Sequence, residues 1–178
     1  MAQVPDMADD LRAEIRQRVV ALQAKQQSQK LEIVAFGSIS SGKSALLNAL
    51  AGRDVFRTEV AGGTTLCRSE VPWPGSDRVV LVDTPGLAEV GGHVRAQAAA
   101  AAAQDADLVL CVVDGPLKAY ELALLQALGA MEKRILVCLN KGDWYDAQQR
   151  DELVRQIADQ ADPLVGPADV VAVRARPV

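Results

Sequence analysis

Leu31–Phe36 is an apolar run of β-forming residues that passes directly into Gly37-Ser38-Ile39-Ser40-Ser41-Gly42-Lys43-Ser44; an apolar stretch, Ala45–Leu50, follows at once and ends near Gly52. The pattern G-x-x-x-x-G-K-[ST] between a strand and a helix restricts the chain to architectures that present a phosphate-binding turn at the end of a strand. Glycines at 37 and 42 let the backbone fold round an anion. Successive N–H groups, among them those of Ser38, Ser40, Ser41 and Ala45, can then point inward, and the helix N-terminus adds its partial positive charge. Lys43 is placed to reach the β- and γ-phosphates of a nucleotide, and Ser44 offers a hydroxyl oxygen to Mg²⁺, a hard cation.

The rest of the chain reads as the scaffold such a loop needs. Runs rich in β-formers recur at Arg68–Trp73, Val79–Val82, Leu108–Val113, Ile135–Leu139 and Val170–Val173. Most are continuously apolar rather than alternating, as strands covered on both faces require. Helical patterns occupy 43–51, 94–104, 118–131 and 147–161, so strands and helices alternate, the signature of a layered α/β fold. The Ala98–Ala103 run reads as helix, because alanine is the best helix former. Pro72, Pro74 and Gly75 mark a tight connection between the second and third strands. Upstream, Met7, Leu11, Ile15, Val19 and Leu22 make one apolar stripe at helical spacing, with Asp6 as its cap. The expected organisation is a helical extension over 1–30 and a single domain over 31–178.

Four further motifs bear on which nucleotide fits. Asp83-Thr84-Pro85-Gly86 closes the strand Val79–Val82 and puts a carboxylate where it can hold a water on Mg²⁺, with the Gly86 N–H available to a γ-phosphate. Asn140-Lys141-Gly142-Asp143 closes Ile135–Leu139. Asp143 can accept from both N1–H and the N2 amine of guanine, a donor pair that adenine lacks. Asn140 would tie this segment to the phosphate loop, and the stem of Lys141 would lie over the base. Gly62-Gly63-Thr64-Thr65 falls where a mobile loop is expected; Thr65, with Thr64 as the alternative, would add a hydroxyl to Mg²⁺. After the last strand, Arg174-Ala175 offers the Ala175 backbone N–H to guanine O6. The spacing assigns catalysis to Lys43, Thr65 and Gly86 and the metal to Ser44, Thr65 and Asp83.

In this order and spacing the motifs from Leu31 to Ala175 resemble the P-loop GTPases, specifically the Era/TrmE-like branch. The resemblance implies a Ras-like three-layer G domain with a six-stranded, mostly parallel sheet whose second strand is antiparallel, and hydrolysis of GTP to GDP as a timed switch. It also implies a final helix after the last strand, which this chain, ending at Val178, would lack. The first loop and Leu46-Leu47-Asn48-Ala49-Leu50 further resemble the dynamin type, in which a monovalent cation, K⁺ or Na⁺, sits against the phosphate loop under a dimer formed across the nucleotide face. Ser40 is the residue expected to touch it. Leu87 stands where Ras-like proteins place a water-orienting glutamine, so that mechanism is unavailable. An alternative reading is a GTP-dependent assembly or membrane-associated module with slow, self-association-stimulated hydrolysis. An ATP-using enzyme is disfavoured by Asn140 and Asp143.

Charge narrows the partners. Nineteen basic residues against 23 acidic ones give a net charge of −4, which argues against a general grip on nucleic acid. Any effector or membrane association is expected to run through regions outside this chain. Cys67, Cys111 and Cys138 have no metal-ligand spacing, and the last two lie in apolar runs, so neither a disulfide scaffold nor a zinc site is expected. Asp6, Asp9 and Asp10 interrupt the N-terminal segment, and no run approaches the roughly 18 apolar residues of a membrane span. The cytoplasm is the expected compartment, with peripheral attachment to the inner membrane as the alternative. His93, in a Gly91-Gly92 loop, reads as solvated, and Trp144 and Tyr145 are expected to pack at the edge of the base loop.

Overall fold

β-Branched and leucine-rich runs that cannot satisfy their backbone groups alone pair into one six-stranded sheet. The computed structural model describes residues 15–20, 30–56, 69–84 and 103–175. Its elements in chain order are β1 (Leu31–Gly37), α1 (Lys43–Ala51), β2 (Ser69–Trp73), β3 (Ser76–Asp83), β4 (Leu108–Val113), α2 (Ala119–Ala130), β5 (Arg134–Leu139), α3 (Ala147–Ala161) and β6 (Val170–Ala172). The sheet order is β2-β3-β1-β4-β5-β6. Only the β2–β3 pair is antiparallel; all the other neighbours run parallel. This is the Ras-like α/β sheet expected from the sequence.

Successive residues of each strand face opposite sides, which divides the core in two. On one face Val34, Phe36, Val82, Val109, Cys111, Val113, Val137 and Leu139 pack with Leu124, Leu125 and Leu128 of α2 and Ile157, Ala158 and Ala161 of α3. On the other, Ala35, Leu81, Leu110, Val112 and Cys138 lie with Leu46, Leu47 and Ala51 of α1 and with Phe56. Helices on both faces explain why the central strands are apolar without alternation.

Several strand ends differ by a residue from the sequence reading, β1 running on to Gly37, β5 beginning at Arg134 and β6 ending at Ala172, and one differs by more. β3 begins at Ser76 rather than Val79, because its polar start, Ser76-Asp77-Arg78, pairs with β2 at the edge of the sheet where no core demands apolar residues. Pro72, which the sequence reading put both in the second strand run and in the connection, lies in β2. It is tolerated there because β2 is an edge strand, and the register shifts between Pro72 and Trp73. The turn itself is Pro74-Gly75, with Gly75 at φ 80°.

The chain divides into two compact units, Met1–Lys30 and Leu31–Val178. In the first, residues 15–20 are helical, with Ile15, Val19 and Val20 exposed; Met7, Leu11 and Leu22 lie outside the described residues. In the second, Ala103 is helical and buried, whereas the remainder of the predicted 94–104 helix lies outside them. Among the described residues no helix is long and apolar enough to cross a membrane.

Burial pushes the Cys138 thiol up to about 12 and raises Cys111 further, helped by the nearby Glu121 and Cys138. The thiolate is the reactive form. In a Cys67→Ser variant, therefore, neither remaining thiol should react with a disulfide reagent at pH 8 until denaturant is added. Rapid labelling of the native protein would contradict the packing of β4 and β5.

Candidate nucleotide-binding site

The parallel strands β1, β3, β4 and β5 end on one side of the sheet, and the chain reverses its direction of winding about β1, the place where open α/β sheets hold ligands. β1 leads into the phosphate-loop sequence. Gly37 is pressed against β4, so that a Cβ there would overlap the Val112 carbonyl oxygen and crowd Ser41 Oγ at 2.8 Å. Ser41 closes the first turn, its N–H and its hydroxyl both donating to Ser38 O at 3.3 and 3.0 Å. Ser40 stands exposed in the left-handed region at φ 64°. Gly42 follows at φ 93° and α1 starts at Lys43.

Lys43 is only 8% exposed, yet its ammonium donates to two neutral carbonyls, Gly37 O at 3.1 Å and Ser38 O at 3.0 Å. Burial lowers its pKa, opposed by the charge of Asp83. A cation whose hydrogen bonds go to neutral carbonyls suits an incoming anion. At the next residue, Ser44 Oγ donates to Asp83 Oδ2 at 2.6 Å, and Asp83 is 1% exposed at the end of β3. Thr84 Oγ1 fixes that strand end by donating to Ala35 O at 2.7 Å. A hydroxyl and a carboxylate in contact are the hard oxygen donors Mg²⁺ takes, and Mg²⁺ characteristically completes its shell with phosphate and water. The residues present therefore fit the ion. Among the described residues no cluster of three or more His, Cys, Asp or Glu side chains could hold a metal alone.

The Asn140–Asp143 segment reaches the loop after β1 through one buried side chain. Asn140 Nδ2 donates to Ser41 O at 2.9 Å, and Asn140 Oδ1 accepts from Ala175 N at 3.1 Å. The N–H assigned from the sequence to guanine O6 is thus engaged by Asn140 here. Lys141 is left-handed, φ 58°. Gly142 N donates to Val173 O at 3.1 Å, which ties the turn to the segment after β6. Asp143 lies in the 3₁₀ turn Gly142–Trp144 and is exposed, as is Arg174. Trp144 does not pack at the loop edge as expected: it is 69% exposed, because the 3₁₀ turn aims it away from the sheet. Tyr145 does pack there, its hydroxyl donating to Asp114 O at 3.0 Å.

Sequence reasoning missed three polar side chains. Asn48 is 1% exposed in α1, and its amide makes four hydrogen bonds: Oδ1 accepts from Val55 N and Phe56 N, while Nδ2 donates to Phe56 O and Asp54 Oδ1. A lone Asn inside an otherwise apolar helix was the available signal. Glu121, buried at the start of α2, accepts from Lys118 N at 2.9 Å through Oε2; burial raises its pKa against the opposing pull of Lys118. Asp114 follows β4 and meets Lys118 and Lys141. Thr64, Thr65, Gly86, Leu87 and His93 lie outside the described residues.

Fold and loop together define a P-loop nucleotide-binding domain. Residues 32–141 match the family described as 50S ribosome-binding GTPase, and the chain belongs to this family of P-loop GTPases, enzymes that hydrolyse GTP. The tRNA modification GTPase MnmE of Paramagnetospirillum magneticum is 36% identical over 121 residues, 64% of this chain and 26% of that protein. The Acinetobacter baylyi MnmE is 35% identical over 145 residues, 77% of this chain and 31% of its own length. The chain thus spans about a quarter to a third of these relatives. Era from Aquifex aeolicus, solved with GDP and AlF₄⁻, superposes with a TM-score of 0.70 at 25% identity, covering 81% of this chain and 50% of Era. A structure of Era with MgGDPNP and a segment of 16S ribosomal RNA gives 0.68 over the same shares.

Gly42 and Gly52 separate backbone strain from steric overlap. Both are left-handed, but a Cβ at Gly52 meets nothing within 4 Å, whereas one at Gly42 overlaps Asn140 Nδ2. Gly52→Ala should cost about 1 kcal/mol in urea denaturation. Gly42→Ala should cost about 2–4 kcal/mol, because it also displaces a buried hydrogen bond. Equal costs would contradict the Asn140 contact.

Proposed function

We propose that Leu31–Val178 is a guanine-nucleotide switch domain that hydrolyses GTP to GDP and phosphate, and that residues 1–30 form a helical extension to it. The observation that carries this reading is the Asn140 amide, which joins the Asn-Lys-Gly-Asp segment to Ser41 of the phosphate loop. Base and phosphate contacts are thereby held at a fixed separation. In this reading Gly37, Ser38, Ser40, Ser41, Gly42 and Ala45 cradle the phosphates, Lys43 meets the β- and γ-oxygens, and Asp143 accepts the N1–H and N2 amine of guanine. Lys141, Arg174 and Ala175 border the base. Ser44, Asp83 and Thr65 would hold Mg²⁺, which when bound neutralises charge on the β- and γ-phosphates. The Gly86 N–H faces the γ-phosphate in the same reading.

Base selection predicts that the chain binds GDP at least about 100-fold more tightly than ADP, because a site built around paired acceptors rejects a base without the donors. Asp143→Ala should remove most of that preference. Lys43→Ala should abolish measurable binding of either nucleotide with little change in melting temperature, since its hydrogen bonds are to backbone carbonyls. Isothermal calorimetry with both nucleotides is the check. Equal affinity of the wild-type chain for GDP and ADP would end this reading.

The source of catalytic charge is proposed to be a monovalent cation near Ser40, held when two nucleotide faces meet. Turnover per molecule should then rise with protein concentration and with K⁺ or Na⁺, and Ser40→Ala should blunt the cation response. A rate independent of both dilution and cation would assign the charge to an external partner.

A further inference from the structure

The side chain that borders the base in this reading, Lys141, is fixed by residues outside the sequence motifs. Its ammonium lies 3.3 Å from Asp114 Oδ2 and 4.5 Å from the centroid of the Trp144 ring. Asp114 sits just beyond the end of β4, beside Asn140, whose own N–H donates to Val113 O at 2.8 Å. The same residue holds the far end of the base segment, because its backbone oxygen accepts the Tyr145 hydroxyl at 3.0 Å. Its second carboxylate oxygen faces Lys118 Nζ at 3.4 Å. Burial pushes the Asp114 carboxyl upward, but Lys118 and Lys141 outweigh it and hold the group below the usual carboxylate range.

We propose that Asp114 is a positioning residue for guanine binding: its carboxylate and the exposed face of Trp144 clamp the Lys141 ammonium, so that the lysine stem is held ready beside the base before nucleotide arrives. The inference rests on the guanine-site reading given above. A lysine side chain carries large rotamer freedom, and a binding site in which that freedom is already restricted loses less on association. The left-handed backbone at Lys141 directs the side chain toward β4 rather than along the 3₁₀ turn, and the contacts from Asp114 and Trp144 retain it there. An ammonium over an indole is attracted by the ring quadrupole and leaves the indole's other face free, which accounts for a large aromatic residue standing 69% exposed beside Asp143.

The test is a double-mutant cycle on GDP affinity by calorimetry, using the full chain with Mg²⁺. Asp114→Asn should weaken GDP about three- to tenfold, the scale of a part-buried ion pair together with the order it imposes. Lys141→Met keeps the stem, removes the charge and should weaken GDP at least as much. Adding Asp114→Asn to Lys141→Met should then cost nothing more. Should Asp114→Asn fail to fold, Trp144→Leu, on an exposed ring, is expected to follow the same pattern in the same two backgrounds. Unchanged GDP affinity in Asp114→Asn, or an equal loss with and without the Lys141 ammonium, overturns the clamp. Absence of GDP binding by the wild-type chain overturns the guanine-site reading itself, and the two failures are told apart by that one control.

Discussion

The side-chain amide of Asn140 is the contact on which the geometry of the site depends. Its Nδ2 donates into the phosphate loop at Ser41 and its Oδ1 receives Ala175 N from beyond β6, while the residue's backbone N–H closes onto Val113 at the end of β4. Segments that follow β1 and β6 are therefore registered against the end of β4 by one residue that is 2% exposed. A buried amide with fixed partners admits few alternative arrangements, since any displacement strands a donor or an acceptor away from water. This is also why position 42 is glycine. The approach of Nδ2 to the Gly42 Cα leaves no room for a side chain, and the left-handed turn there lets α1 begin with its first N–H groups unsatisfied by any cap.

The same economy recurs around the sheet, where buried polar side chains secure chain segments that hydrophobic packing leaves undirected. Thr84 binds the end of β3 to Ala35 of β1, which fixes the height of Asp83 relative to Ser44. Asn48 secures Asp54–Phe56 beside α1, so the chain leaves this helix in a set direction. Asp107 Oδ2 accepts from Glu32 N at the opposite edge, at 2.8 Å. The apolar core supplies most of the stability; these contacts supply the register without which Lys43, Ser44 and Asp83 would not meet.

How much of this the sequence discloses follows from the range of each signal. The phosphate loop and the Asn-Lys-Gly-Asp segment are contiguous patterns with strands in front of them, so their place in the fold is readable. The strand core is readable as well, since β4 and β5 are apolar throughout. The polar first turn of β3 is not, because its only constraint is pairing with an edge strand. Asp114 and Glu121 are hidden for a different reason: Val113-Asp114-Gly115-Pro116 looks like an ordinary turn, and only the parallel β4–β5 register brings Asp114 beside Lys141. Trp144 misleads in the opposite direction. Aromatic residues after an apolar strand are most often packed, but a 3₁₀ turn of three residues rotates this one outward.

The two halves of the site are built from different materials, and the difference has a consequence for how a nucleotide would be held. At the phosphate end Ser38, Ser41, Lys43 and Asp83 are all buried, and the loop is braced by short backbone contacts that a bound ligand need not create. At the base end Asp143, Trp144 and Arg174 are exposed, and their order comes from Asn140, Gly142 and Asp114 behind them. Electrostatic attraction acts most strongly in the buried half, where the effective dielectric is low. In the proposed reading, affinity for a nucleotide would reside chiefly in the phosphate loop, while discrimination between bases would reside in an exposed rim whose energy per contact is smaller and whose precision depends on the residues supporting it. Such a division would leave the phosphate end to bind any nucleoside polyphosphate and make the rim's supports, together with its contact residues, the determinants of which base is kept.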